Sequence, residues 1–504
     1  MSTFHGYGKL NNHKGHMTKF AFDIGIIGGG AAGLTVAAGA AQLGARTLLV
    51  EREEKLGGDC LHFGCVPSKT LIQSASVYHH IKTSSCYGLP EITPPPVIFR
   101  DISARIHSVI ETIQHHDSVE RFCGLGVKVE FGRCKFIDQH TIEIGGRTYD
   151  AGKWVIASGS SAAIPPIKGL HAVQYITNRE IFSLATLPDS LIILGAGPIA
   201  VEMAQAFCRL GSKVDIIQRS DQILTKEDKD LADAVMAGLR HEGVTIHLNA
   251  TIEKVSERNG FKTVTFTNNQ GRTITLTAEQ LLVALGRQAN IDGLGLRNIG
   301  LELDPKGIKV DGRLRTSLNH IYAAGDVTGA YQFTHAAGYE GGVVLSNAVF
   351  RLPRKTNYSF LPWCTYTEPE LASIGLNEKR AREQGIEYTV WTERFHDNDR
   401  AQAEGAPAGQ LKLLLNRKEK PIGVQILGLH GGELIHEWVA AMNGKIRLST
   451  LASAIHPYPT LGEINKKVAG SVLSRKLFSE KVRKALTFFF NLKGRACEPD
   501  NPGD

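Results

Sequence analysis

Nowhere in its 504 residues does the chain approach about 18 uninterrupted apolar residues, the length a membrane-spanning helix requires. Its opening, MSTFHGYGKLNNHKGH, has no apolar core of signal-peptide length. Residues 1–19 are therefore expected to be a disordered polar extension, with Met17 as an alternative start, and the expected compartment is the cytoplasm. Cysteine is sparse: positions 60, 65, 86, 123, 134, 208, 364 and 497 carry it, and only Cys60 and Cys65 are close in sequence. That spacing argues against a disulfide scaffold. No second Cys/His pair completes a tetrahedral zinc set, so no metal site is expected. A basic nucleic-acid-binding surface is also missing. The net charge is +7, yet residues 466–495 hold nine Lys/Arg against Glu480 alone, and the rest of the chain is close to neutral.

What is present is a repeated unit. AFDIGIIGGGAAGLTVAAGAAQLGARTLLVE (21–51) reads as strand, glycine turn, Ala/Leu helix and strand, with Gly28, Gly30 and Gly33 in a G-x-G-x-x-G pattern. Such glycines let backbone N–H groups approach a pyrophosphate at a helix N-terminus. Glu51, closing the second strand, can accept hydrogen bonds from ribose hydroxyls. SLIILGAGPIAVEMAQAFCRLGSKVDIIQRS (190–220) repeats the pattern with Gly195, Gly197 and Ala200. At the offset of Glu51 it carries Gln218, followed by Arg219. A carboxylate suits a free 2′-hydroxyl, whereas Gln218-Arg219 leaves room for a 2′-phosphate and offers it a guanidinium. The first unit thus reads as an FAD site. The second reads as a nicotinamide site leaning towards NADPH, with NADH as the alternative and a solvated surface role as the bland reading of Arg219.

Between them stands GGDCLHFGCVPSKTLI (57–72). Pro67 suits the first residue of a helix, which would set Cys65 near a helix N-terminus, where the macrodipole favours thiolate. Lys69 lies four residues on, along the same face.

With GGDCLHFGCVPSK go VIASGSSAAIP (155–165), GAGPIAVE (195–202), ALGR (284–287), IYAAGDVTG (321–329), TYTEPELASIG (365–375), GVQILGLHGGELI (423–435) and HPYPTLGE (456–463). In this ordered set the chain resembles, from about residue 20 to about 470, the class I pyridine nucleotide–disulfide oxidoreductases. That family includes dihydrolipoamide dehydrogenase, glutathione reductase and mercuric reductase. The resemblance implies an α/β fold with two Rossmann-like domains. FAD would bind 20–158 and 287–355, NAD(P) would bind 159–286, and 356–470 would form an α/β dimerisation domain ahead of a basic amphipathic tail, 471–504. It implies that Cys60 is the interchange thiol and Cys65 the flavin-side thiol of a redox-active disulfide, with Lys69 paired to Glu202 near the flavin. Asp326 would hold the ribitol. Ala32, Gly58, Cys134, Ser158, Gly159 and Thr334 would complete the FAD contacts, and Gly286 and Arg287 would lie along the nicotinamide nucleotide. Electrons would pass from NAD(P)H through FAD and the disulfide to a small-molecule acceptor, in a homodimer whose active site the partner subunit completes.

Two positions depart from the pattern. His62 stands where relatives commonly carry Asn. In dithiol-using relatives the last motif reads His-Pro-Thr-x-x-Glu, with the histidine as acid/base and the glutamate orienting it. Here alignment on Pro459-Thr460 and Glu463 puts Tyr458 in that slot and His456 two residues upstream. An unperturbed phenol near pKa 10 is a poor base at neutral pH, unlike an imidazole near 6.5. Mercuric reductase also places tyrosine here, but an N-terminal Cys-x-x-Cys and a C-terminal vicinal cysteine pair are lacking, and Cys497 stands alone. The acceptor is left open among a disulfide, a metal ion and another small electrophile. The alternatives are a dihydrolipoamide dehydrogenase using His456 or water as base, and a non-catalytic thiol redox sensor. In the tail, SVLSRKLFSEKVRKALTFFFNLK (471–493) places apolar residues on one face of a single expected helix. Two readings stay open for it: docking on the dimer, or peripheral contact with anionic lipid.

Overall fold

The computed structural model describes residues 20–494 together with 496 and 497. The expected N-terminal extension, Met17 included, lies outside the described residues. The chain folds as mixed α/β and forms two compact units, one of residues 20–60, 113–161 and 288–356, the other of 61–112, 162–287 and 357 onward.

The first unit is built on a parallel sheet. Strand Phe22–Ile27 lies between Thr47–Glu51 and Arg147–Ile156, both parallel to it. Val127–Phe131 extends one side, parallel to Thr47–Glu51. Ile321–Ala323 pairs parallel with Arg147–Ile156. A central parallel strand has both faces covered, so it carries apolar side chains on both; Ile24, Ile26 and Ile27 of FDIGII are all buried. Helix Ala31–Gln42 follows directly and packs its alanines against the sheet, with Val36, Ala37 and Ala40 fully buried.

The second unit repeats the theme and adds another. A four-stranded parallel sheet runs Thr245–His247, Lys213–Ile217, Ser190–Leu194, Gln280–Val283, with helix Pro198–Leu210 crossing between its central strands. A five-stranded antiparallel sheet runs Pro362–Thr365, Glu370–Gly375, Pro421–Gly428, Gln410–Leu415, Thr389–Arg394.

Within this unit, buried charge ties the two sheets together. Lys412, only 3% exposed, reaches Asp228 at 2.9 Å, Asp230 at 3.1 Å and Glu378 at 2.7 Å. A buried ammonium costs several kcal/mol unless it is paired this closely, and the carboxylates hold its pKa up at about 12 although burial opposes them. Arg209 joins Glu242 and Glu368 in the same way. Glu227 accepts from Trp363, Ser373 and Gln425.

The tail corrects an expectation: it is not one helix. Helix Glu463–Leu477 ends, Phe478 and Ser479 intervene, and a second helix runs Glu480–Phe490. Ser479 is extended, and Ser followed by an acid in the first turn is a helix-start signal that the apolar periodicity concealed.

Candidate redox and nucleotide-binding site

In the first unit the glycine turn is held by sterics. Gly28 has φ +108°, and a Cβ there would stand 2.2 Å from the Ala157 carbonyl oxygen; one on Gly33 would stand 1.9 Å from the Gly28 oxygen. No side chain fits at either place, so backbone comes within van der Waals distance of backbone. Glu51, 7% exposed, accepts the Gly29 N–H at 2.6 Å and the Glu53 N–H at 2.9 Å. It therefore pins the turn from below, a role the sequence reading did not include. Ala32 is buried in the first turn of the helix, and Gly58, with φ +64°, faces Gly30 across a gap too small for a side chain.

Elsewhere in this unit Ser160 donates to Asp326 at 2.5 Å. Ser158 donates to the Asn290 carbonyl, and the Gly159 carbonyl accepts the Asn290 N–H. Thr334 opens helix Thr334–Ala348 and is exposed. Cys134 is buried in strand Cys134–Phe136, and burial pushes its thiol up to about 12, out of redox range.

The second turn has the same construction. Gly195, at φ +100°, would set a Cβ 2.5 Å from the Ala284 oxygen, whereas one on Gly197 would meet open space. Pro198 starts the helix, its missing N–H costing nothing there. Ala200 is buried. Gln218 spends its amide on Ser220 and on the Gln222 carbonyl, while Arg219 is exposed. Gly286 has φ +118° and Arg287 begins strand Arg287–Ala289.

Cys60 lies in the short helix Gly58–His62, half-buried, as is His62. Cys65 is the first residue of helix Cys65–Lys82 and is exposed. The helix therefore begins two residues before Pro67, which takes the third position, still within the turn whose N–H groups need no helical partner. Lys69 sits one turn along, its ammonium 2.8 Å from Glu202. Glu202 is 5% exposed and its other oxygen accepts the Tyr366 N–H at 2.9 Å. The Lys69 ammonium also lies 4.3 Å above the Tyr366 ring. Burial raises the Tyr366 phenol, keeping it neutral. Sequence reasoning missed Tyr366 because a backbone N–H leaves no mark in residue identity.

The HPYPTLGE segment resolves into two separate pairs. His456 bonds Glu437 at 3.0 Å through Nε2 and the Ala454 carbonyl at 3.2 Å through Nδ1. Tyr458, 70% exposed, donates to Asp399 at 2.7 Å. Glu463 opens the next helix and accepts the Thr460 N–H at 3.4 Å. The carboxylate receiving the tyrosine hydroxyl is thus Asp399, 59 residues upstream and outside every motif read from the sequence.

The pyridine nucleotide-disulphide oxidoreductase family model matches residues 22–341, and the dimerisation domain of the same family matches 361–469. A mercuric reductase of Bacillus cereus is 32% identical over 88% of this chain and 70% of its own. A dihydrolipoyl dehydrogenase of Bacillus subtilis (strain 168) is 33% identical over 87% of this chain and 96% of its own. Among solved structures, the Cu(II) complex of the HOCl-induced flavoprotein disulfide reductase RclA from Escherichia coli superposes with a TM-score of 0.80 at 28% identity, covering 89% of this chain and all of that one.

Proposed function

The chain belongs to the pyridine nucleotide-disulphide oxidoreductase family, and from that membership we propose that it cycles Cys60 and Cys65 between disulfide and dithiol, passing electrons from NADPH to a small acceptor. It is an oxidoreductase, and the family's dimerisation domain over 361–469 marks it as forming a homodimer. The observation that carries the reading is helix Cys65–Lys82, with Cys65 at its N-terminus and Lys69, anchored by buried Glu202, one turn on.

FAD fits the first unit: Gly30 presents bare backbone at the start of helix Ala31–Gln42, where a Cβ would come no nearer than 3.7 Å to Gly58, and Asp326 offers a carboxylate to a polyol. When bound it would supply two-electron transfer between the nicotinamide and the sulfurs. Gly28, Gly30, Ala32, Gly33 and Gly58 would take the pyrophosphate side, Glu51 would support the turn and meet the ribose, and Cys134, Ser158, Gly159 and Thr334 would line the remainder. Gly195, Gly197 and Ala200 would do the same for the coenzyme, with Gln218, Arg219, Gly286 and Arg287 along it. Lys69 holds a fixed positive charge, which stabilises anionic character developing beside it. The helix macrodipole favours Cys65 as thiolate. Cys60 is the thiol presented to the acceptor, and Tyr458 and Glu463 of the partner subunit would face it.

The acceptor class follows from the missing base. His456, the candidate base of a dihydrolipoamide dehydrogenase, has both ring nitrogens engaged in its own domain. Tyr458 is held protonated by Asp399, which raises its pKa. A substrate needing no proton shuttle, such as a thiol-binding metal ion or an activated electrophile, suits this arrangement better than lipoamide.

The tail adds a lipid-facing surface to the reading. Helix Glu480–Phe490 buries none of its residues, and Phe478, Phe488, Phe489 and Phe490 are each more than two-thirds exposed beside Arg475, Lys481 and Arg483. Exposed aromatics flanked by cations complement an anionic membrane. Among the described residues no helix is long and apolar enough to cross one.

Three outcomes check these assignments. Tyr458→His, with Asp399 able to orient the new imidazole, raises turnover with dihydrolipoamide about tenfold or more, a part of the 10²–10⁴-fold that general acid–base catalysis contributes; an unchanged steady-state rate with flavin retained contradicts the base argument. Arg219→Glu shifts the NADPH/NADH ratio of kcat/KM towards NADH by about tenfold or more, and an unmoved ratio removes the coenzyme assignment. In flotation with anionic vesicles, full-length protein rises with lipid and a chain ending at Gly470 does not; equal recovery removes the lipid reading.

A further inference from the structure

Asp399 opens the short helix Asp399–Ala403. Its position relative to Tyr458 is set by the preceding residue, Asn398, which is 7% exposed. The Asn398 side-chain oxygen accepts the Ala401 N–H at 3.0 Å, capping the helix, while its amide donates to the Thr460 carbonyl at 3.1 Å. One side chain therefore locks the start of this helix to the backbone two residues beyond Tyr458. The neighbouring charges are otherwise committed. Arg400 pairs with Glu404, Asp397 with His396, and Lys467 reaches the Asp397 carbonyl and Glu393. No cation is bound to Asp399 among the described residues; the group bonded to it is the Tyr458 hydroxyl, at 2.7 Å. Glu463, the other anion close to the phenol, acts in the same direction and more weakly.

We propose that Asp399 is the positioning residue for Tyr458. It accepts the hydroxyl's hydrogen bond, turns the oxygen lone pairs outward, and places an uncompensated negative charge at the acceptor site, so that the enzyme disfavours anionic acceptors. The proposal rests on the reading that Tyr458 faces the interchange thiol in the dimer. A phenol whose single proton is donated sideways cannot also donate it to a leaving thiolate. An exposed carboxylate beside it repels a second anion by an amount that salt diminishes. Glu463, five residues from Tyr458, is the carboxylate that the sequence motif offers, and it is bonded elsewhere.

The test uses the flavin-loaded dimer as wild type, Asp399→Asn, Asp399→Ala and Tyr458→Phe. NADPH-driven turnover is measured with a dianionic nitrobenzoate disulfide and with neutral hydroxyethyl disulfide. Both Asp399 variants are expected to raise kcat/KM for the dianion relative to that for the neutral disulfide about threefold or more at low salt, through KM, and to lose this difference at high salt. The phenolate titration that disappears in Tyr458→Phe should move down in Asp399→Asn towards about 10, the ordinary tyrosine value. An unaltered preference between the two disulfides in both Asp399 variants, or a titration that stays in place, overturns the proposal. Should Tyr458→Phe leave the kinetics of every acceptor untouched, Tyr458 is not at the acceptor site and the underlying reading fails instead.

Discussion

The buried carboxylate of Glu202 is the interaction on which the rest of the second unit depends. It takes the ammonium of Lys69 with one oxygen and the Tyr366 N–H with the other. Three stretches meet there: the helix that begins at Cys65, the helix that leaves the second glycine turn, and the turn that follows strand Pro362–Thr365 of the antiparallel sheet. An ionised carboxylate at 5% exposure is tolerable only with such partners, since an unpaired one costs several kcal/mol. Glu202 therefore fixes where Lys69 stands relative to Cys65. The ties among Lys412, Asp228 and Glu378, and among Arg209, Glu242 and Glu368, hold the surrounding scaffold in register.

A second constraint acts on the acceptor side. Where a proton shuttle is needed, the residue must change charge near neutral pH, and an imidazole does so. Here the imidazole of His456 is engaged by Glu437, and Tyr458 is a phenol tied to Asp399. Two carboxylates, on separate elements, hold one ring nitrogen and the hydroxyl, and a backbone carbonyl holds the other ring nitrogen. On the proposed reading, thiolates do the work and no proton has to be moved by the protein.

Local motifs were legible in the sequence because their meaning is carried by neighbours in the chain. Gly28 and Gly33 were readable as a glycine turn made for a pyrophosphate, although the carbonyls of Ala157 and Gly28 that exclude a side chain there were not, and Cys65 was readable as a residue near a helix start. The βαβ order around both glycine turns was equally plain. What escaped were long-range partners. Asp399 meets Tyr458 across 59 residues, Tyr366 meets Glu202 across 164, and Lys412 gathers carboxylates as far as 184 residues away. Nothing in the composition of either stretch announces the pairing, which exists only once the sheets are stacked. The tail shows the opposite failure. Its apolar period ran unbroken through Phe478 and Ser479, and the helix-start signal at Ser479-Glu480 was outweighed by it.

The central claim is that reducing equivalents from the coenzyme arrive at Cys60 and Cys65, and it can be tested without any acceptor. Oxidised, yellow protein is mixed anaerobically with NADPH, alkylated, digested and analysed by mass spectrometry. The account predicts two newly labelled thiols on the peptide carrying Cys60 and Cys65, with buried Cys134 unlabelled throughout. Labelling of that peptide identical with and without NADPH, in protein that retains its flavin, would contradict it.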